Sequence, residues 1–194
     1  MKFKIIISIL VILVISGMVL LKDDKGVNNM AEANVNHKIL VAYFSRTGEQ
    51  YGVGNITEGN TAIVAKMIAK KTNGDLFEIK VKNDNYPNTY NALVEYAKKE
   101  KQQKARPELI GKVENFDSYD TVFIGYPNWW ADMPMPVYTF LESYNFEGKN
   151  VYHFCTHEGS GGVKEGLHMY GHTAQNEKDK AQKLVSDWLN KIGY

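Results

Sequence analysis

The sequence predicts a doubly wound α/β domain, a parallel sheet with helices on both faces. Short apolar runs alternate with helical patterns from residue 38 to the C-terminus. The first run, Ile39-Leu40-Val41-Ala42-Tyr43-Phe44, is apolar without a break. An unbroken apolar strand suits a parallel sheet covered on both sides, whereas a half-exposed strand alternates. Strand–helix alternation closes by right-handed crossovers, which put helices on both faces.

The first strand covers about residues 38–44. A loop from 45 to 59 follows, with four glycines. A helix then runs from about 61 to 71, with Ile63 above Met67 and Val64 above Ile68 on its inward face, and Asn73-Gly74 ends it. The second strand is 75–81. A polar loop with Tyr86-Pro87 leads to a helix over about 89–104, stopped by Pro107. Residues 121–125 make a short third strand. The loop 127–136 holds three prolines and two tryptophans, and Val137, Phe140 and Leu141 mark a helix behind it. The fourth strand is 150–156, followed by a glycine loop, 157–162. In the last helix, about 176–190, Ala181, Leu184, Val185, Trp188 and Leu189 recur at buried-stripe spacing.

The N-terminus is a separate matter. Lys2 and Lys4 precede an apolar run over residues 5–21 that is broken only by Ser8, Ser16 and Gly17. Residues 1–21 read as a signal peptide or an N-terminal membrane anchor, and Ala31-Glu32-Ala33 has the form of a cleavage site. Residues 22–36 are a polar tether and 37–194 the domain. The expected placement is extracytoplasmic, secreted or anchored to the cell membrane by the N-terminus, with the cytoplasm as the lesser alternative.

Beyond Ala33, cations and carboxylates balance at 19 each, which gives no sign of a nucleic-acid partner. The single cysteine, Cys155, excludes an internal disulfide, and its neighbours Val151, Tyr152 and Phe154 place it in a buried strand.

In such folds ligands bind beyond the carboxyl ends of the strands. The loops 45–60, 127–136 and 157–162 all follow strands, so they converge on one edge. The first offers the hydroxyls of Ser45, Thr47 and Thr61 and the amide of Asn60 beside a helix N-terminus, which suits an anion. It lacks both the GxxxxGK[ST] and the GxGxxG patterns, so a terminal monophosphate fits better than a triphosphate or dinucleotide. In the second loop one indole of Trp129 and Trp130 can stack on a flat ring while the other packs. In the third, glycines let the backbone approach a planar ligand. The spacings of His153, His157, His168 and His172 match no zinc pattern, and the GxSxG elbow of a hydrolase is absent.

Together these segments resemble the flavodoxins, most closely the bacterial flavodoxin-like proteins that carry a YFSRTG and a PNWW segment. The phosphate motif Ser/Thr-x-Thr-Gly-x-Thr is split here into Ser45-Arg46-Thr47-Gly48 and Gly59-Asn60-Thr61. Beside it stand Gly125-Tyr126-Pro127-Asn128-Trp129-Trp130 and Thr156-His157-Glu158-Gly159-Ser160-Gly161. The resemblance spans residues 37–193. It implies a five-stranded parallel sheet of order 2-1-3-4-5 and FMN held without a covalent bond. By carry-over, Ser45, Thr47, Gly48, Asn60 and Thr61 hold the phosphate. Pro127, Asn128, Trp129 and Trp130 border one side of the ring, and Gly159, Ser160 and Gly161 the other. The segment 166–173 is short for the fifth strand, and 113–116 is an alternative strand insertion.

The implied function is that of an FMN-binding redox protein, an oxidoreductase that takes electrons from a nicotinamide or protein donor and reduces a quinone-like acceptor. No side-chain acid or base and no metal is required. Two alternatives stand beside it: a single-electron carrier between protein partners, and a non-catalytic interaction module with weak flavin binding. The balanced charge favours the small acceptor, because electron-carrying flavodoxins are strongly acidic around the flavin.

Overall fold

Residues 38–161 and 165–194 are described by the computed structural model. The leader (1–21), the tether (22–36), His37 and Gly162 lie outside the described residues. The elements, in chain order, are β1 (Ile39–Tyr43), β2 (Gly48–Gln50), β3 (Gly54–Ile56), α1 (Asn60–Thr72), β4 (Asp75–Glu78) and β5 (Lys80–Val81). Then come α2 (Tyr90–Gln103), β6 (Leu109–Ile110), β7 (Thr121–Pro127), α3 (Met135–Glu142), β8 (Asn150–His157), β9 (Leu167–Tyr170), α4 (Gly171–Asn176) and α5 (Lys178–Ile192).

The central sheet has the order β4-β1-β7-β8-β9, all parallel, which is the 2-1-3-4-5 order expected. Every residue of β1 is buried, and its side chains alternate between two cores. Val41 and Tyr43 join Phe123, Phe154, Ile68 and Val185 beneath α1 and α5. Leu40 and Ala42 join Val122, Ile124, Phe140 and Cys155 beneath α2 and α3. The unbroken apolar run therefore serves two layers, as a strand with helices on both faces must.

Several boundaries differ from those the sequence predicts. The first loop carries an inserted hairpin, β2 with β3, whose residues have no apolar alternation. Strand two breaks after Glu78, and Lys80–Val81 turns away to pair with Leu109–Ile110. Residues 113–116 form no strand, and Phe116–Ser118 is a short 3-10 turn. The fifth strand is Leu167–Tyr170, paired with β8 through Phe154↔Leu167 and Thr156↔Met169. The final helix is preceded by a separate one, Gly171–Asn176, and Leu184 faces outward at 38% exposure instead of joining the stripe.

Cys155 is 1% exposed, and burial pushes its thiol up to about 12. A buried, protonated thiol is a poor nucleophile. The expected result with a thiol-specific disulfide reagent is a native reaction at least ~100-fold slower than that of the denatured chain, which then titrates one thiol.

The connection from β8 to β9, residues 158–166, is shorter than the dozen or so residues of a usual crossover. One face of these two strands accordingly carries Val151, His153, His168 and Tyr170, with Val151 and Tyr170 exposed. Burial, helped by His168 and opposed by Glu165, holds the His153 imidazole below its ordinary value. Its Nε2 is buried without a partner. A histidine kept neutral in the fold adds stability that is complete above its unfolded value near ~6.5 and is lost as pH falls through the lower folded value. The His153 contribution to the unfolding midpoint in urea should therefore hold steady from neutral pH upward and fall on acidification. A His153→Gln variant is expected to show a shallower drop, and an unchanged slope would remove His153 as a source.

Candidate functional site

The first turn of α1 is the fixed point of the site. Gly59 precedes it, and Ser45, fourteen positions earlier in the chain, accepts a hydrogen bond from the Ala62 N–H at 3.1 Å through its Oγ. The side chain of one loop thus caps a helix begun after the inserted hairpin, and the two halves of the split segment meet. Gly59 makes the close approach feasible: a Cβ there would lie 2.6 Å from the Arg46 carbonyl oxygen and closer still to Ser45 Oγ. The remaining first-turn N–H groups of a helix carry partial positive charge and no intrahelical partner.

Beneath this turn, Thr61 Oγ1 and Thr156 Oγ1 lie 2.7 Å apart, both buried. This pair ties α1 to the end of β8. Asn60 Oδ1 accepts from Gln175 at 2.8 Å, which leaves its amide nitrogen as the free donor group. Above the turn opens a cleft of about 220 Å³ at the carboxyl edge of β1, β7 and β8. Ser45, Asn60 and Thr61 line its polar end, and Pro127, Asn128, Trp129 and Ser160 line the other.

The charged groups at the cleft are already engaged. The Arg46 guanidinium pairs with Asp84, donates to the Tyr86 carbonyl at 3.1 Å and lies over the Tyr86 ring. Its Nε is buried with no partner. Glu158 turns both carboxylate oxygens onto His172, accepting from its backbone N–H at 2.6 Å and meeting its Nδ1 at 2.9 Å. Burial first, and His168 next, hold the His157 imidazole below its ordinary value, while its Nδ1 accepts from the Gly159 N–H. The polar end therefore offers neutral donors and a helix terminus more than it offers free charge, which suits a small anion.

The flat end is aromatic. Trp129 is half-buried, edge-on to Phe44 at 5.5 Å and to Tyr86 at 5.6 Å between ring centres. Asn128 links the second and third loops: its N–H donates to the Thr156 carbonyl, and its Nδ2 donates to Ser160 Oγ at 3.0 Å and to the Gly161 carbonyl at 2.6 Å. Tyr51 of the inserted hairpin and Tyr90 of α2 meet at 5.5 Å on the rim. The hairpin is fastened there by Glu49, which accepts from the Tyr90 N–H at 2.9 Å.

Ser45, Asn60, Thr61, Pro127, Asn128, Trp129 and Ser160 thus line one cleft. Thr47, Gly48, Trp130, Gly159 and Gly161 are not among the residues lining this cleft. Thr47 is exposed, and Gly48, Gly159 and Gly161 sit at positive φ in the loops they shape. Trp130 is 44% exposed and donates its Nε1–H to the Val94 carbonyl at 3.0 Å. Sequence reasoning missed Gln50, Tyr51 and Tyr90 as lining residues, and it passed over Arg46, Thr156, His157 and Glu158, which stand within the segments that carry the resemblance. The first two lie in the inserted hairpin and Tyr90 begins α2, so no motif spacing joins them to the site.

Comparison with known proteins gives this geometry a family. A family profile described as flavodoxin matches residues 38–191. The chain belongs to the flavodoxin family. Among solved structures, a candidate flavoprotein from Bacteroides eggerthii is similar at 29% identity and a TM-score of 0.59, over 81% of this chain and 98% of that one. Another from Bacteroides uniformis is similar at 28% and 0.53, over 74% and 98%. A flavoprotein from Lactobacillus acidophilus, solved in complex with FMN, shares the fold at 20% identity and 0.54, over 78% and 98%. A search of curated proteins found no match.

These findings correct the expected placement. The segment that suggested a signal peptide or membrane anchor lies outside the described residues. Among the described residues no helix is long and apolar enough to cross a membrane. The longest has 15 residues, about 22 Å of rise against a hydrocarbon core of about 30 Å. The similar structures are flavoproteins matched over nearly their whole length. The secreted or membrane-anchored reading is accordingly set aside.

FMN is the cofactor of the flavodoxin family to which the chain belongs, and the residues present suit it. Neutral donors surround a helix N-terminus at one end of the cleft, the Gly59 backbone leaves room for close approach, and an indole stands at the other end.

Proposed function

We propose that the protein is an FMN-dependent oxidoreductase that passes electrons from a reduced nicotinamide to a small quinone-like acceptor. The observation that carries this reading is a cleft in which a neutral anion cradle and an aromatic rim meet. When bound, FMN supplies the electron and hydride chemistry. The protein's own residues bind and orient it. Ser45, Asn60, Thr61 and the first turn of α1 hold the phosphate. Pro127, Asn128 and Trp129 flank the ring, with Ser160 opposite. Thr47, Gly48, Gly159 and Gly161 set the course of the loops, and Trp130 braces the second loop against α2.

One reduced nicotinamide and one proton convert one quinone to one hydroquinone, so the balance needs no side chain as a net proton source. Balanced charge over the domain supports a small acceptor over a large charged partner. The test is steady nicotinamide oxidation by the purified, FMN-loaded chain with a soluble naphthoquinone. The expected result is one nicotinamide consumed per quinone. Electron flow only after a protein reductase is added would make the chain a carrier, and failure to retain FMN would leave an interaction module.

The two indoles should separate in the bound-flavin spectrum. Trp129→Leu is expected to shift the visible bands and to weaken FMN binding by about 0.5–1.5 kcal/mol, the worth of an aromatic pair. Trp130→Leu should leave both unchanged. Identical native spectra in both variants would remove Trp129 from the ring site.

A further inference from the structure

Beside the cleft lies a second hollow of about 280 Å³. One wall is the face of α2 bearing Leu93, Val94 and Ala97, and the other is the turn carrying Trp129, Trp130 and Ala131. No charged side chain lines it. Gln50, Tyr90, Asn128, Trp129 and Ser160 line both spaces, so the two open into each other with polar groups at their shared border.

The turn is held in a costly shape. Trp130 and Ala131 both have positive φ, at 55° and 57°, without being glycine. Trp129 and Asp132 exchange backbone hydrogen bonds at 3.0 and 3.1 Å across it. Four contacts fasten it to α2: Trp130 Nε1 to the Val94 carbonyl, Lys101 Nζ to the Trp130 carbonyl at 2.7 Å, Lys101 to Asp132 at 3.1 Å, and Lys98 Nζ over the Trp130 ring at 5.1 Å from its centre. Such strain persists only where the surroundings over-determine it, and it gathers at ligand clamps. Here it fixes the turn on α2 with Trp130 bonded to the helix and Trp129 facing the space that remains between them.

We propose that this hollow seats the electron acceptor, a flat uncharged quinone of one or two rings, between Trp129 and the apolar face of α2. The proposal rests on the reading of the protein as an FMN-dependent quinone reductase and adds the acceptor's place. The chemistry of the walls selects the class. An uncharged lining disfavours a nicotinamide dinucleotide, whose diphosphate would lose its hydration against Leu93, Val94 and Ala97. A quinone presents an apolar ring to such walls, and its carbonyls accept hydrogen bonds from Gln50 or Ser160 at the border. Seated there, it lies alongside the flat end of the flavin cleft, with Trp129 common to both.

The test uses the full-length, FMN-loaded, oxidised chain and menadione, with binding read by equilibrium dialysis so that no turnover is needed. Val94→Phe and, as a second variant, Ala97→Leu fill the hollow from the α2 side, and thermal melting confirms that each is folded. The expected result is menadione binding weakened at least tenfold in a folded variant, with FMN affinity unchanged, and a matching rise in KM for menadione reduction. If FMN affinity falls in parallel, the hollow belongs to the cofactor and the proposal is overturned. If both affinities stay unchanged, or the wild-type chain retains FMN yet binds no menadione, the acceptor does not sit here. Loss of FMN from the wild-type chain itself would instead strike the functional reading, which a separate flavin titration shows.

Discussion

Gly59→Ala is expected to weaken FMN binding on the order of 100-fold and riboflavin binding much less. The added methyl group would meet the Arg46 carbonyl oxygen at 2.6 Å and Ser45 Oγ more closely still. Backbone at Arg46 must then move away from α1, and Ser45 with it, so that the bond to the Ala62 N–H is lost. Hydrogen bonds to a charged group contribute about 1.5–3 kcal/mol each. Misplacing one or two of them costs about 3 kcal/mol, near two decades in Kd. The backbone at Gly59 has φ of −68°, so alanine suffers no strain of its own and the effect is purely steric. Riboflavin lacks the phosphate and serves as the control. Equal losses for both ligands in a folded variant would move the phosphate away from this turn.

Gly125→Ala should destabilise the whole domain by about 3 kcal/mol or more, the upper range for overpacking a core. Gly125 in β7 sits directly opposite Phe154 in β8. A Cβ on Gly125 would lie 2.8 Å from Cε1 of the phenyl ring and nearer to Cε2 and Cζ. Phe154 is wholly buried, so its ring has no room to turn aside. The expected observation is a lower urea midpoint with an unchanged slope. The double variant Gly125→Ala/Phe154→Leu should recover a measurable part of the loss, because a smaller side chain vacates the space the methyl group needs. Additive losses would mean that the ring does not lie across Gly125. This glycine stands in the middle of a sheet strand, and its role is to let the neighbouring ring cross over it.

Much of the fold was legible because β1 and β7 are buried on both faces and read as unbroken apolar runs. The stripe on α5 likewise announced itself through Ala181, Val185 and Leu189, which are all buried. What stayed hidden has specific causes. Leu167-His168-Met169-Tyr170 sets only Leu167 and Met169 into the core, because the other face of β8 and β9 carries His153, His168 and Tyr170 instead of an apolar layer. The segment therefore lacks the continuous apolar character that marked β1. The inserted hairpin escaped notice because its strands are three residues each, mostly polar, and stabilised from outside by the Tyr90 N–H at the start of α2, which donates to Glu49.

At the site, the loops and their order were readable, and the individual contacts were not. Ser45, Asn60 and Thr61 could be named from residue type beside a helix start. The bond between Thr61 and Thr156, 95 positions apart, could not, and neither could the pairing of Arg46 with Asp84. The two indoles differ only in their packing, which residue type does not show. Trp129 turns inward to Phe44 and Tyr86, while Trp130 lies outside on α2, and the positive φ of Trp130 and Ala131 directs them so.

The most direct measurement is a pair of titrations of the purified full-length chain, one with FMN and one with riboflavin, followed by absorbance of the bound ring. The expected result is one FMN per chain, retained after desalting, with riboflavin bound at least ~100-fold more weakly, as loss of the charged hydrogen bonds requires. A chain that retains no flavin, or that binds both ligands equally well, would contradict the assignment of the α1 N-terminus as the phosphate cradle and the redox function built on it.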